Sequence, residues 1–158
     1  MIRQLTFATD LGRLYLAWRG SGICALGFAD GFVLPEEDLA PAWVLGAVRR
    51  LMGHLGGRPE ALEDIPLDLA SLAPFQHRVL TALRDTRPGE TVTYGELALR
   101  VGQPGAARAV GQAVKANPIL ILVPCHRVVG ARGPGGWSAF GSPERKARLL
   151  ALEGVRGG

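Results

Sequence analysis

The 158-residue chain carries a net charge of +4 with 47% hydrophobic and 20% charged residues, enough apolar content to bury a core and too ordered a mixture for a disordered polymer. No apolar run approaches the ~20 residues of a membrane span, and the N-terminus, MIRQLTFATD, lacks the long apolar stretch of a signal peptide. A soluble, intracellular, cytoplasmic protein with no membrane partner is expected.

In the first half, GRLYLAW (residues 12–18) alternates Leu14, Leu16 and Trp18 on one face of a strand, and RGSG supplies a turn. The next strand, ICALGF (23–28), places Cys24 on a face with Leu26 and Phe28, so core packing is expected for this thiol. Cys24 and Cys125 are the two cysteines of the chain, both expected free in a reducing compartment. A helix starts at Pro41 and stops before Gly56, with Val44, Val48, Leu51 and Leu55 on one side. GGRPEALED (56–64) reads as a loop and IPLDL (65–69) as a short strand.

The second half reads as mostly helical. PFQHRVLTALRDT (74–86) spaces Phe75, Val79 and Leu83 one turn apart, and RPGE breaks the pattern. Thr93 with Glu96 three residues on forms a capping box for a helix through Leu97 and Leu99 that stops near Gly102. After GQPG, a second helix, AARAVGQAVKAN (106–117), ends at Asn117-Pro118. Two short helices around a glycine-containing turn have the pattern of a helix-turn-helix.

Charge supports that reading. Residues 1–74 hold six arginines against nine acids, net −3, whereas residues 75–158 hold twelve basic and five acidic residues, net +7, the footprint of a phosphate-binding surface. On the second helix, Ala107, Val110 and Val114 form the expected buried stripe, while Arg108, Gln112 and Lys115 line one exposed face. Ala107, Ala109 and Gly111 around Arg108 are small enough for a close approach to a partner's backbone, and DNA is the expected partner.

An aliphatic run (119–123) then reads as a buried strand that delivers Pro124, Cys125, His126 and Arg127. A thiol reacts as its thiolate, which the imidazole or the guanidinium beside it can promote. In an extended segment, adjacent side chains point to opposite faces, so a turn or a bridging water is required. A base also needs an orienting group. Ser142 and Pro143 cap and start a last helix that Gly154 stops. Glu153 lies in its final turn, where the helix dipole disfavours a carboxylate, which makes it either a candidate functional residue or a solvent-exposed acid at a frayed helix end. His54, His77 and His126 form no metal-ligand spacing, so no metal is expected.

The motifs PFQHRVLTAL, RPGETVTYGELALRVGQPGAARAVGQAVKANP, ILVPCHRVVG and KARLLALEG, in this order across residues 74–154, resemble the O6-alkylguanine-DNA alkyltransferase family. GRLYLAW and GICALGF extend the likeness more loosely into the first half. The resemblance implies an RNase H-like α/β domain (1–71), a small antiparallel sheet with a helix, followed by a mainly α, winged-helix-like domain with the helix-turn-helix (72–158). It implies irreversible, single-turnover transfer of an alkyl group from O6-alkylguanine in duplex DNA to Cys125, with no cofactor, by a protein that is a monomer in solution and able to assemble cooperatively on DNA. O4-alkylthymine is a further lesion it suggests.

By position, the resemblance makes His126 the base acting through a water, Glu153 its orienting partner, and Tyr94 the donor to the departing guanine. Asn117 holds the turn that presents the cysteine. Arg108 fills the gap left by a flipped nucleotide while Ala107, Ala109, Gly111, Gln112, Lys115, Thr93 and Arg127 meet DNA in the minor groove. Pro124, Val128, Trp137 and Ser138 line the alkyl pocket, Ser138 as a donor to the base oxygen. The loop in GPGGWSAFGSPERK (133–146) is one residue longer than the family's commonest form, and the zinc ligands of some relatives have no counterparts. Two other readings compete: a lesion binder without chemistry, disfavoured because such relatives carry tryptophan at the cysteine position, and a Cys–His–Glu hydrolase, which leaves the basic half and the Arg108 face unexplained.

Overall fold

The computed structural model describes residues 1–31, 33–34, 36–130 and 143–155. Three strands, β1 (Arg3–Thr9), β2 (Gly12–Arg19) and β3 (Gly22–Phe28), form an antiparallel meander in the order β1-β2-β3. Leu5 and Phe7 of β1 and Leu14, Leu16 and Trp18 of β2 share the buried face, the period-2 pattern of a half-buried sheet. β1 lay outside the sequence expectation because Leu5 and Phe7 alone give a weak alternation. The β2–β3 turn has Gly20 at φ +58°, the left-handed backbone a tight hairpin needs at its first central position.

The register slips between Ala17 and Trp18, because Trp18 pairs with Ile23 and Ala17 with Ala25. Cys24 is the extra residue of that bulge. Ile23 and Leu26 therefore carry the buried positions of β3, and Cys24 is half-buried rather than in the core. The outer edge of β3 is covered along its length. Ile23 bridges Leu67 and Leu26 bridges Ile119, with Leu26 N–H donating to Pro118 O at 3.0 Å and Leu120 N–H to Leu26 O at 2.8 Å. IPLDL thus contributes a single bridge rather than a strand. A Cβ on Gly22 would sit 2.7 Å from the Leu67–Asp68 backbone, so this approach requires glycine.

Helix α1 (Ala42–Leu55) buries Val44, Ala47, Val48, Leu51, His54 and Leu55 and packs against β1. Helix α2 (Pro74–Arg84) begins with proline at its first position and buries Val79, Leu80 and Leu83. A two-residue strand, β4 (Val92–Thr93), leads into α3 (Tyr94–Arg100), whose capping box forms as expected: Glu96 N–H donates to Thr93 Oγ1 and Thr93 N–H to Glu96 Oε1, each at 3.1 Å. Leu97 and Ala98 are buried in α3, whereas Leu99 is exposed, because a seven-residue helix has room for one inward stripe. Helix α4 (Ala107–Lys115) packs on α2 and α3 and buries Val110, Ala113 and Val114, with Ala107 only half-buried.

Strand β5 (Val128–Val129) pairs in parallel with β4, Val92 opposite Val128 and Thr93 opposite Val129. The last helix, α5 (Pro143–Leu152), contacts α1. Gly154 at φ +94° and the Val155 N–H to Leu150 O bond of 2.9 Å end it in a left-handed cap. One apolar cluster runs from Leu5 through α1, α2 and α4 to Leu149, so both halves contribute to the same core. Among the described residues, no helix is long and apolar enough to cross a membrane.

Candidate active site

The segment before the cysteine is not the strand its composition suggested. Ile121 has φ 72°, and the chain folds back on itself, with Val123 N–H donating to Ile119 O at 3.0 Å. Asn117 clamps the bend. Its Nδ2 donates to Val123 O and its Oδ1 accepts from Ile119 N–H, both at 3.0 Å. A β-branched residue in the left-handed region is costly, and these buried amide bonds hold it there. The role expected for Asn117, holding the presenting turn, therefore has a concrete geometry.

Beyond Pro124 the chain makes one turn of 3-10 helix, Cys125–Arg127, closed by Arg127 N–H donating to Pro124 O at 2.9 Å. Three residues per turn place successive side chains about 120° apart. Cys125, His126 and Arg127 can all be buried in different directions, and they are 0%, 0% and 5% exposed. A turn, not an extended segment, therefore carries the three residues.

His126 and Arg127 converge on Glu153. His126 Nε2 lies 2.9 Å from Glu153 Oε1. Arg127 binds the same carboxylate through both oxygens, Nε to Oε1 and Nη2 to Oε2, each at 2.9 Å, and its Nη1 donates to Thr86 O at 2.6 Å and Thr86 Oγ1 at 3.1 Å. Arg127 is accordingly corrected from the list of DNA contacts: its guanidinium points inward and neutralises a buried carboxylate, the bidentate geometry for which arginine is suited. Sequence reasoning also missed His54, whose Nε2 lies 2.9 Å from Glu153 Oε2. Its signal was a polar residue on the apolar stripe of α1, three positions after Leu51.

These surroundings set the protonation states. Burial alone would raise the Glu153 carboxyl, but hydrogen bonds from Arg127, His126 and His54 outweigh it and hold the group well below the usual carboxylate range. Burial lowers the His126 pKa, opposed by Glu153, so the ring is a neutral base. Burial also pushes the Cys125 thiol up to about 11, opposed by the Asn117 side chain and by Lys146. The thiol therefore needs a base. Lys146 is buried at 1% exposure and donates to Val128 O at 2.9 Å; burial brings its pKa down to about 8. It too was missed, although it shares a helix face with Leu149 and Leu150.

The remaining expected residues surround this centre. The β4–β5 pairing joins the start of α3 to the end of the cysteine turn, which brings Tyr94 into the field of Cys125; burial first, then that thiolate, raises its phenol pKa. A Cβ on Gly111 would sit 3.6 Å from the Tyr94 ring, so α4 passes directly over it. Arg108, Ala109, Gln112 and Lys115 are exposed on α4, and Gly111 and Thr93 are half-buried. The Thr93 hydroxyl is occupied as a cap. Pro124 and Val128 are buried beside the cysteine. Trp137 and Ser138, expected in the pocket, and Ser142, the expected cap of α5, lie outside the described residues. Among the described residues, no group of three or more His, Cys, Asp or Glu side chains is placed to hold a metal ion.

A buried cysteine adjacent in sequence to a buried imidazole–carboxylate pair, together with a two-helix unit that has an exposed basic face, fits a DNA-associated protein with a reactive cysteine. Residues 74–155 match the model of the 6-O-methylguanine DNA methyltransferase DNA-binding domain. The methylated-DNA–protein-cysteine methyltransferase of Mycolicibacterium paratuberculosis is 43% identical over 97% of this chain and 93% of its own length. Among solved structures, the O6-methylguanine methyltransferase of Mycobacterium tuberculosis superposes with a TM-score of 0.83 at 41% identity, covering 97% of this chain and 93% of that one. The M. tuberculosis protein in complex with DNA gives 0.81 at 41% identity, covering 95% and 91%. The chain belongs to the O6-methylguanine-DNA methyltransferase family.

Proposed function

We infer that this protein repairs alkylated DNA by moving the alkyl group of O6-alkylguanine onto Cys125, once per molecule. The observation that carries this is the Cys125–Arg127 turn, which aims a buried thiol one way and hangs its neighbouring imidazole on Glu153 the other. With Nε2 directed at Glu153, His126 keeps Nδ1 as its acceptor and takes the thiol proton through a water. The thiolate displaces guanine from the alkyl carbon, and Tyr94 donates to the leaving base so that it does not depart as a full anion. The product is a thioether, with no activated carbonyl for water to attack, so Cys125 is not regenerated.

An alkyl group on a base edge is out of reach inside a duplex, and flipping it out costs a few kcal/mol, less for a poorly paired lesion. We assign the α3–α4 unit to the minor groove, where small Ala107, Ala109 and Gly111 fit a narrow cleft and Arg108 replaces the extruded base. Gln112, Lys115 and Thr93 flank it on the backbone. Pro124 and Val128, with Trp137 and Ser138, enclose the alkyl group. Cys125 has no exposed area, so entry of the base requires a displacement at the site.

The finer architecture follows the same reading: an RNase H-like domain over residues 1–71 and a winged-helix-like domain over 72–158, acting as an intracellular monomer that can assemble along DNA. Titration of the protein with a duplex carrying O6-methylguanine tests the central statement. Repair should stop at one lesion per protein, and Cys125→Ser should repair none. Continued turnover after that point would contradict it.

A further inference from the structure

His54 belongs to α1, 99 positions from Glu153 in sequence, yet its ring is sunk in the same cluster at 1% exposure. Both ring nitrogens are engaged. Nδ1 accepts the Glu60 backbone N–H at 3.1 Å, and Nε2 lies 2.9 Å from Glu153 Oε2. An imidazole that accepts at Nδ1 carries its proton on Nε2, so these hydrogen bonds assign His54 as a donor to Glu153. The loop bearing Glu60 is itself tied down by Arg50, whose Nε donates to Glu60 Oε1 at 2.7 Å and whose Nη1 and Nη2 reach Asp64 at 3.0 and 2.9 Å.

With His54 in place, Oε1 receives His126 and Arg127 Nε, and Oε2 receives Arg127 Nη2 and His54. Neither oxygen has a lone pair to spare. We infer that His54 is a positioning residue for alkyl transfer, holding the Glu153 carboxylate in the rotation that presents Oε1 to His126 and so keeping His126 Nδ1 as the proton acceptor. This rests on the relay proposed above. The terminal torsion of a glutamate is broad and soft, so a carboxylate missing one fixed donor can turn. His54 also lowers the His126 pKa, so its removal makes that ring more basic. The charged and titratable groups acting on His126 are Glu153, Arg127 and His54 from α1, and Glu90 lies in the field of Arg127.

The test compares His54→Leu, which donates nothing, with His54→Gln, whose amide can still donate to Oε2. Single-turnover transfer rates against pH, affinity for undamaged duplex and thermal midpoints are measured, with Glu153→Gln and the Glu153→Gln/His54→Leu double variant alongside. His54→Leu should slow transfer by about tenfold to a hundredfold, the scale for a small misplacement of a catalytic group, and move the pH midpoint of the rate upward. Duplex affinity should stay within about twofold, under the tenfold that 1.4 kcal/mol represents. His54→Gln should recover most of the rate, and the double variant should be no slower than Glu153→Gln. If His54→Leu does not fold, His54→Asn, whose amide is too short to reach Oε2, takes its place against His54→Gln. A variant that loses stability but keeps the wild-type rate and pH midpoint would overturn the positioning role. Glu153→Gln transferring at the wild-type rate would overturn the relay itself, whereas a slow Glu153→Gln beside an unimpaired His54→Leu would sink the inference about His54 alone.

Discussion

Arg127 grips both oxygens of Glu153 at 2.9 Å, and both side chains are buried. The cation that sequence reasoning assigned to DNA neutralises the acid that lies 2.9 Å from His126. Removing it strands a buried carboxylate, a loss of about 3–5 kcal/mol for a broken buried pair. Arg127→Ala should therefore lower chemical-denaturation stability by that amount while leaving the salt dependence of DNA binding unchanged. A reduced salt slope at intact stability would return Arg127 to the DNA surface.

With His126 as the proposed base, its titration sets the acid limb of the reaction. Burial lowers its pKa from 6.5, so the unfolded chain binds a proton there at a pH where the folded ring does not. The unfolded state then holds more protons as pH drops through 6.5, and stability falls on that side. The transfer rate follows the same sign, holding its plateau down through pH 6.5 and declining below it. Single-turnover rates and denaturation midpoints between about pH 5 and 8 test this, and a rate midpoint above 6.5 would contradict it.

Asn117→Ala should release both ends of the bend before the cysteine. The variant leaves the Ile119 N–H without its partner in a buried site, at about 1–3 kcal/mol, while Val123 O keeps the Cys125 N–H at 2.7 Å. Thermal stability should drop and alkyl transfer should slow, because Ile121 is no longer held in its left-handed conformation. Full activity in a destabilised variant would separate the bend from the chemistry.

How much of this was legible in the sequence differs by element. The capping box at Thr93 and Glu96 and the α4 face of Arg108, Gln112 and Lys115 rest on local spacing and are found where expected, whereas a broken local rule singled out Glu153 and only the family resemblance paired it with His126. Cys24 was misplaced because a one-residue bulge reverses the in–out alternation, and no alternation pattern reveals a bulge. The reversal at Ile121 was equally hidden, since five aliphatic residues in a row read as strand whatever their backbone does. His54 and Lys146 were missed for another reason. Their partners lie across the fold, and only a polar residue on an apolar face hinted at them.

Arg108→Ala should slow repair of duplex more than repair of single-stranded substrate, by about tenfold, or about 1.4 kcal/mol of the flipping cost. Duplex affinity should change little, because phosphate contacts dominate it. Equal relative rates on the two substrates would remove the wedge role. Tyr94→Phe should slow transfer on both substrates with binding intact, and parallel loss of binding would refute its part as donor to the leaving base.

The most direct measurement is the mass of the peptide containing Cys125 after reaction with a duplex bearing O6-methylguanine. A gain of one methyl on that peptide, in one-to-one yield with guanine restored in the DNA, is the expected result. Restored guanine with an unmodified Cys125, or a methyl carried on Cys24 instead, would contradict the account.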